Sequence, residues 1–388
     1  MTQATIAAVH VTAFRYPIQN CATERTSGHT FDCTGATSSR ARLHVTIRAT
    51  DGSCGTYVGG TDVMLPQVEK AAQLLIGMPW HAREPFYATA RRLLQKHDRM
   101  GVGLLDSALW DLAGKRAGMS VAEMLGGARA TLPAYASTWM GGPGGGLQVP
   151  QDYVDFALEC RELGYRGFKM HGWGVDDVDR EIATVLALGK AIGHSMALMS
   201  DPMCSINGFG DTLRLAKACD AAGFYWLEDP MSDGGQAATA YRAIREKCAT
   251  PLMIGECVRG LEANASVVLA GASDFVRADP DFDMGITGTM KLAHFAEAIG
   301  LDVELHAPGP AQRACMAALR NSKFYEVSMV GPGRGLFAGG YYACGYSDAL
   351  DDVSADGTVP VPAGAGLGVQ YDMDFIRGYA FADLKVAA

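Results

Sequence analysis

Three acids, Asp201, Glu228 and Glu256, each close a short apolar run (MALMSD, FYWLE, PLMIGE), and they stand 27 and 28 residues apart. That interval fits successive strand-plus-helix units of a parallel barrel, so the three carboxylates meet at one rim. Carboxylates crowded together require a cation. A hard divalent ion such as Mg²⁺ takes oxygen ligands and keeps positions open for substrate oxygens. One acid at a strand end can simply cap the next helix; three in phase point to a metal-dependent active centre.

Other strand ends in the same pattern are also polar. The second ends Lys169-Met170-His171, the sixth in Asp279, the seventh in His306, and the eighth carries Glu326. Alternate residues of a strand share a face, so Lys169 and His171 both point to the barrel mouth, where a lysine stays solvated or paired. Two cations beside a metal depress each other's pKa, and either then serves as a base near neutral pH. Across the mouth, His306 and Asp279 form a carboxylate–imidazole pair that fixes the tautomer and supports an imidazolium. Two proton-transfer faces thus flank one metal. A metal ion, a lysine and a protonated Glu326 together would stabilise charge developing on a substrate carboxylate as its α-proton leaves.

These side chains need a scaffold that repeats. Apolar runs at 134–137, 167–171, 197–201, 224–228, 252–256, 275–279, 301–306 and 324–327 are mostly separated by amphipathic stretches such as VPQDYVDFALECRELGY. Eight strands with helical intervals predict a (β/α)₈-type barrel whose chemistry sits at the C-terminal strand ends. The preceding segment differs. Residues 6–16 and 42–57 alternate in strand fashion and predict a small antiparallel sheet, and helices are predicted over 65–76, 82–96, 103–117 and 121–125. The polar stretch QNCATERTSGHTFDCTGATSS between the two strands is too long for a hairpin turn and predicts a mobile lid.

At 388 residues with 48% hydrophobic content, the chain can fill a large barrel and a smaller domain. The net charge of −9 comes without a basic stripe, which argues against nucleic acid as a partner. Without a basic-then-apolar leader or a run of about 18 apolar residues, a soluble cytoplasmic protein with no membrane partner is expected. The ten cysteines show no Cys-x-x-Cys spacing and are expected to be reduced packing residues, not zinc ligands. Cys204 and Cys257 lie near the proposed ligands but have no adjacent base, so neither is assigned a nucleophilic role.

The segment LLDSALWDLAGKRAGMSVAEMLGG (104–127), the Lys-x-His strand, the three acids, ADPDFDMGITG (278–288), ELHAPG (304–309) and FYEVSMVGPG (324–333) together resemble the enolase superfamily, within it the mandelate racemase subgroup. The resemblance implies an α/β fold with an N-terminal α+β capping domain over 1–128, including a substrate lid at about 17–40. It implies a modified (β/α)₇β barrel over 129–365 and a C-terminal segment, 366–388, that returns to the cap. One Mg²⁺ would be held by Asp201, Glu228 and Glu256, with Asp279–His306 as the dyad and Glu326 as the acid that hydrogen-bonds an enediolate oxygen.

Two positions depart from the subgroup pattern. Lys169-x-His171 stands where Lys-x-Lys is usual, so either His171 inherits the base role or Lys169 acts and His171 contacts the leaving group. Met203 replaces a residue that is often polar. Arg25, His29 and Asp32 from the lid, with Tyr57 nearby, are expected to line a pocket for a hydroxylated acid. The resemblance implies dehydration of a small-molecule sugar acid by a homo-oligomer, commonly of eight subunits. Racemisation, epimerisation or lactone cycloisomerisation on the same site residues is the alternative, and a non-catalytic relic of the fold is a third reading.

Overall fold

Alternation along three N-terminal strands builds the first layer. β1 (Ile6–Thr23), β2 (Thr30–Ala49) and β3 (Cys54–Gly59) are antiparallel neighbours, and the C-terminal β13 (Ala380–Ala387) pairs with β1, giving the order β13-β1-β2-β3. Leu43, Val45 and Ile47 of β2 are fully buried, while the intervening residues face the other side. Helices α1 (Leu65–Leu75), α2 (Arg83–Leu93), α3 (Met100–Ala117) and the short α4 (Val121–Met124) follow. α3 lies so close to β3 that a Cβ on Gly55 would come 2.1 Å from the Ala108 carbonyl oxygen. This computed structural model describes residues 4–23, 30–142, 146–332 and 340–387.

The polar stretch expected to be a loop is largely strand. β1 and β2 continue their ladder from Pro17↔Ser39 through Gln19↔Thr37 to Thr23↔Thr30, with an irregularity between Gln19 and Cys21. Polar side chains support the ladder: Thr37 Oγ1 donates to Gln19 Oε1 at 2.8 Å, and Asn20, at φ 57°, accepts from the Gly35 amide at 2.9 Å. Threonine and serine suit an exposed two-stranded ribbon, which polarity alone does not reveal. Of the expected lid contacts, Arg25 and His29 lie outside the described residues, and Asp32 is placed by its backbone alone, opposite Cys21.

The second layer is a curled parallel sheet. Its strands are β4 (Thr131–Thr138), β5 (Gly167–His171), β6 (Ala197–Asp201), β7 (Trp226–Glu228), β8 (Leu252–Ile254), β9 (Phe275–Ala278), β10 (Asp302–Leu305) and β11 (Tyr325–Val330). They run in the order β10-β9-β8-β7-β6-β5-β4-β11. Seven helices alternate with them: α5 (Pro150–Leu163), α6 (Val178–Ile192), α7 (Phe209–Ala222), α8 (Ala238–Arg245), α9 (Leu261–Leu269), α10 (Gly285–Ala298) and α11 (Pro310–Ala318). After β11 the next described element is a strand, β12 (Thr358–Pro360), which pairs antiparallel with β4. This is the modified (β/α)₇β barrel.

Where β10 meets β11, a side chain does the work of a ladder. The Glu304 carboxylate accepts from the amides of Lys323 (3.0 Å) and Phe324 (3.1 Å). Burial pushes its pKa up to about 8, against the lowering effect of those amides.

The period of two sorts the barrel interior into levels. Tyr135, Met199, Trp226, Met253, Phe275 and Phe324 form an apolar plug. Two residues further along four of these strands stand Asp201, Glu228, Arg277 and Glu326. Above the barrel, α3 is tied to the first turn of α10: Asp106 accepts from Thr287 N (2.9 Å) and Oγ1 (2.7 Å). No helix among the described residues is long and apolar enough to cross a membrane.

Candidate active site

Asp201 is the last residue of β6, Glu228 the last of β7, and Glu256 lies two residues beyond β8. Each offers an oxygen within 4.8 Å of the others. Glu256 is set in place by Asp229, which sits at a left-handed φ of 30° and accepts from the amides of Glu256 (2.8 Å) and Gly255 (3.2 Å). Burial raises the Glu228 pKa, and Asp201 and Glu326 add to the rise against Arg277 and Lys169. Three converging carboxylates supply only hard oxygen donors, and their mutual repulsion is relieved by a cation, so the set fits Mg²⁺ or a similar ion.

Lys169 lies beneath the triad, fully buried, with Nζ 3.0 Å from Asp201 Oδ2, 2.9 Å from Glu228 Oε2 and 3.0 Å from Glu326 Oε1. Burial lowers its pKa, but Glu228, Glu326 and Asp201 outweigh that and hold it well above the usual lysine value. The expected depression is therefore reversed. Counting two cations beside a metal left out the three acids that surround them.

His171 is oriented from behind. Its Nδ1–H donates to the Thr138 carbonyl at 2.6 Å, which leaves Nε2 facing Asp201 Oδ2 at 3.1 Å. Burial opposes its charge and Asp201 favours it, for a net rise.

On the opposite side, His306 Nδ1 lies 2.6 Å from Asp279 Oδ2, and Nε2 is 3.3 Å from Glu256 Oε1. Burial again opposes the charge, yet Glu256 and Asp279 push the His306 pKa up to about 9. Phe282 stacks on the ring at 5.7 Å, and Gln312 Nε2 donates to Asp279 Oδ1 at 3.3 Å. The two histidines thus approach the triad from different ligands, His171 at Asp201 and His306 at Glu256.

Glu326 differs from the protonated donor expected of it. Burial raises its pKa, but Lys169 and Arg277 pull it well below the carboxylate range. Arg277 is one residue that sequence reasoning missed. It is fully buried, with Nη2 2.8 Å from Glu326 Oε2 and Nε 2.9 Å from Glu228 Oε1, the latter an ionic contact outside hydrogen-bond geometry. An arginine inside the apolar run FVRA, in phase with Asp279, was the available signal, because a buried guanidinium demands acids. Asp229 was also missed. Tyr57, expected to line the substrate pocket beside the lid, is buried, and its hydroxyl donates to Asp281 Oδ1 at 2.7 Å. Met203 follows Asp201 in a left-handed conformation, and its amide donates to Asp201 Oδ1 at 2.9 Å.

Comparison with known proteins agrees with this geometry. The enolase C-terminal domain-like family matches residues 152–375, and the mandelate racemase / muconate lactonizing enzyme N-terminal domain matches residues 27–126. The chain is 26% identical to D-galactarolactone cycloisomerase of Agrobacterium fabrum, over 89% of this chain and 92% of that protein. It is 26% identical to D-gluconate dehydratase of Thermoproteus tenax over 71% of this chain, but spans only 55% of that protein. The crystal structure of D-glucarate dehydratase from Agrobacterium tumefaciens complexed with magnesium superposes with a TM-score of 0.86 at 27% identity, covering 97% of this chain and 99% of that one. The chain belongs to the enolase superfamily, within its mandelate racemase subgroup.

Proposed function

We propose that this protein removes the α-proton of a sugar-acid carboxylate in a Mg²⁺-dependent step and then eliminates the β-hydroxyl, giving a 2-keto-3-deoxy acid. The observation that carries the reading is the pair of opposed histidines, each with one nitrogen fixed by a partner and the other turned to the acid triad. Asp201, Glu228 and Glu256 would hold the ion, which supplies a Lewis acid for the substrate carboxylate and offsets the charge of the triad.

His171 is the better base. Lys169 is locked in three ion pairs, whereas His171 has its Nδ1 satisfied by the Thr138 carbonyl and makes a single ionic contact, Nε2 to Asp201 Oδ2 at 3.1 Å. As the Cα–H bond breaks, its electron pair moves toward the carboxylate and the proton goes to His171 Nε2. His306, held by Asp279, gives its Nε2 proton to the leaving β-hydroxyl, which departs as water. The enol that remains tautomerises to the ketone.

Similarity to the cycloisomerase over nearly its whole length favours a second reading, in which the same proton abstraction opens a lactone or inverts a centre. Incubation with Mg²⁺ and a panel of sugar acids and their lactones, in D₂O and with semicarbazide to trap ketones, separates the two. Trapped 2-keto acid supports dehydration. Keto acid formed from lactones alone supports lactone opening, deuterium at the α-position without keto acid supports inversion of a centre, and neither signal with any compound overturns both readings.

A further inference from the structure

The end of β7 lies between two loops that each carry a cysteine. Cys204 follows β6, three residues past Asp201, and Cys257 follows β8, next to Glu256. Neighbouring strands stand 4.7–4.9 Å apart, so loops leaving β6 and β8 start about 10 Å from each other. Yet the two thiols share a hydrogen bond. The loops therefore lean together over β7.

Asp229, the residue after β7, ties both loops to itself. Its carbonyl accepts from the Cys204 amide at 2.9 Å, and its carboxylate accepts from the Glu256 amide at 2.8 Å. Met203 and Cys204 have left-handed φ values of 52° and 56°, and two such residues in succession are uncommon without glycine. From the β7–α8 loop, Gly234 packs so closely that a Cβ there would come 3.3 Å from the Cys257 Cβ. Neither cysteine is the buried packing residue expected from the sequence. Cys204 is half-buried, and Cys257 is exposed in the wall of a cavity of about 790 Å³ that also has Arg91 of α2 and Arg259 in its lining.

We infer that Cys204 and Cys257 are a modification site, a dithiol that a peroxide closes to a disulfide, and that the disulfide weakens the metal site beside it. The Cys257 sulfur, the more exposed, attacks hydrogen peroxide. The O–O bond breaks, one oxygen stays on sulfur as a sulfenic acid, and the other leaves as water with the thiol proton. The Cys204 sulfur then displaces the sulfenic hydroxyl, which takes the second thiol proton and leaves as water. Two thiols and one peroxide give one disulfide and two waters, with sulfur oxidised and the peroxide oxygens reduced. The new bond is shorter than the hydrogen bond it replaces, so it draws the loops closer and pulls on Glu256, whose carboxylate must meet Asp201 and Glu228. The inference rests on the triad as a Mg²⁺ site and is independent of the α-proton reading.

The test treats the native, metal-free protein with a slight excess of hydrogen peroxide, blocks the remaining thiols, and maps the digest by mass spectrometry without reduction. A peptide pair joined through Cys204 and Cys257, lighter by two hydrogens, is the expected product. Calorimetric titration with Mg²⁺ is expected to show about 10–100-fold weaker binding by the oxidised protein, the cost usual for disturbing the support of a ligand, with recovery in dithiothreitol. Cys257→Ser and, separately, Cys204→Ala are expected to keep native affinity after the same treatment. Absence of the joined peptides would overturn the site, and a disulfide that leaves Mg²⁺ affinity unchanged would overturn its coupling to the metal. Equal loss of affinity in both variants would overturn it too, by placing the damage at another residue. Native protein that binds no Mg²⁺ at all overturns the metal reading together with this inference, whereas protein that binds Mg²⁺ but turns over no sugar acid leaves it standing. Recovery of the native protein in dithiothreitol decides the matter even where a variant folds poorly.

Discussion

At the scale of single residues, the site is two hydrogen-bonded histidines on either side of an acid triad, with Lys169 and Arg277 as the charge beneath it. In the proposed reaction the histidines divide the labour, so a change to one should stop one half of it only. His306→Asn is expected to lower β-elimination by about 10²–10⁴-fold, the usual contribution of a positioned acid, while α-proton exchange with D₂O persists by NMR. Loss of exchange as well would place the first proton transfer on the His306 side. Arg277 makes a different prediction. Its guanidinium is buried against Glu228 and Glu326, and Arg277→Met leaves two buried carboxylates short of a cation. Destabilisation of about 3–5 kcal/mol in urea unfolding is expected, and an unchanged midpoint would show that Lys169 alone neutralises the level.

At the scale of elements, the sequence was most legible where a regular period carries chemistry. The triad, Lys169, His171, Asp279 and His306 could all be placed because a strand end followed by a helix repeats in the barrel. Legibility failed where tertiary context decides. The Gln19–Ser39 stretch is mostly polar, and only the ladder between its two halves shows how much of it is sheet. The charges beneath the triad were misjudged for a related reason, since the pKa of Lys169 depends on Glu326 and Glu228, which are distant in sequence.

The β7–α8 turn gives a prediction at this scale. Asp229 holds the backbone that presents Glu256, so Asp229→Asn, which puts an amide donor against a backbone N–H, is expected to weaken Mg²⁺ binding by about 10–100-fold. Isothermal titration with Mg²⁺ measures this directly, and an unchanged affinity would show that Glu256 needs no such support.

At the scale of the whole molecule, buried acids join its parts. Asp106 links the cap to the barrel and Glu304 bridges the seam between β10 and β11; burial raises their pKa values to about 7 and about 8. A carboxyl whose folded pKa lies above its unfolded value favours the fold fully below the unfolded value, and that contribution is lost as pH rises through the folded one. Thermal stability is therefore expected to fall between about pH 5 and pH 8. In Glu304→Gln, whose side chain is neutral throughout, the decline should be shallower, and equal slopes for the two proteins would remove Glu304 from this account. The barrel frame brings His171 and His306 to one triad from two sides. The most direct test of that central claim is ¹H NMR of His306→Asn with Mg²⁺ and the sugar-acid panel in D₂O. Deuterium appearing at the α-carbon with no keto acid formed is the predicted result, and an α-proton that stays unexchanged with every acid that native protein turns over would contradict it.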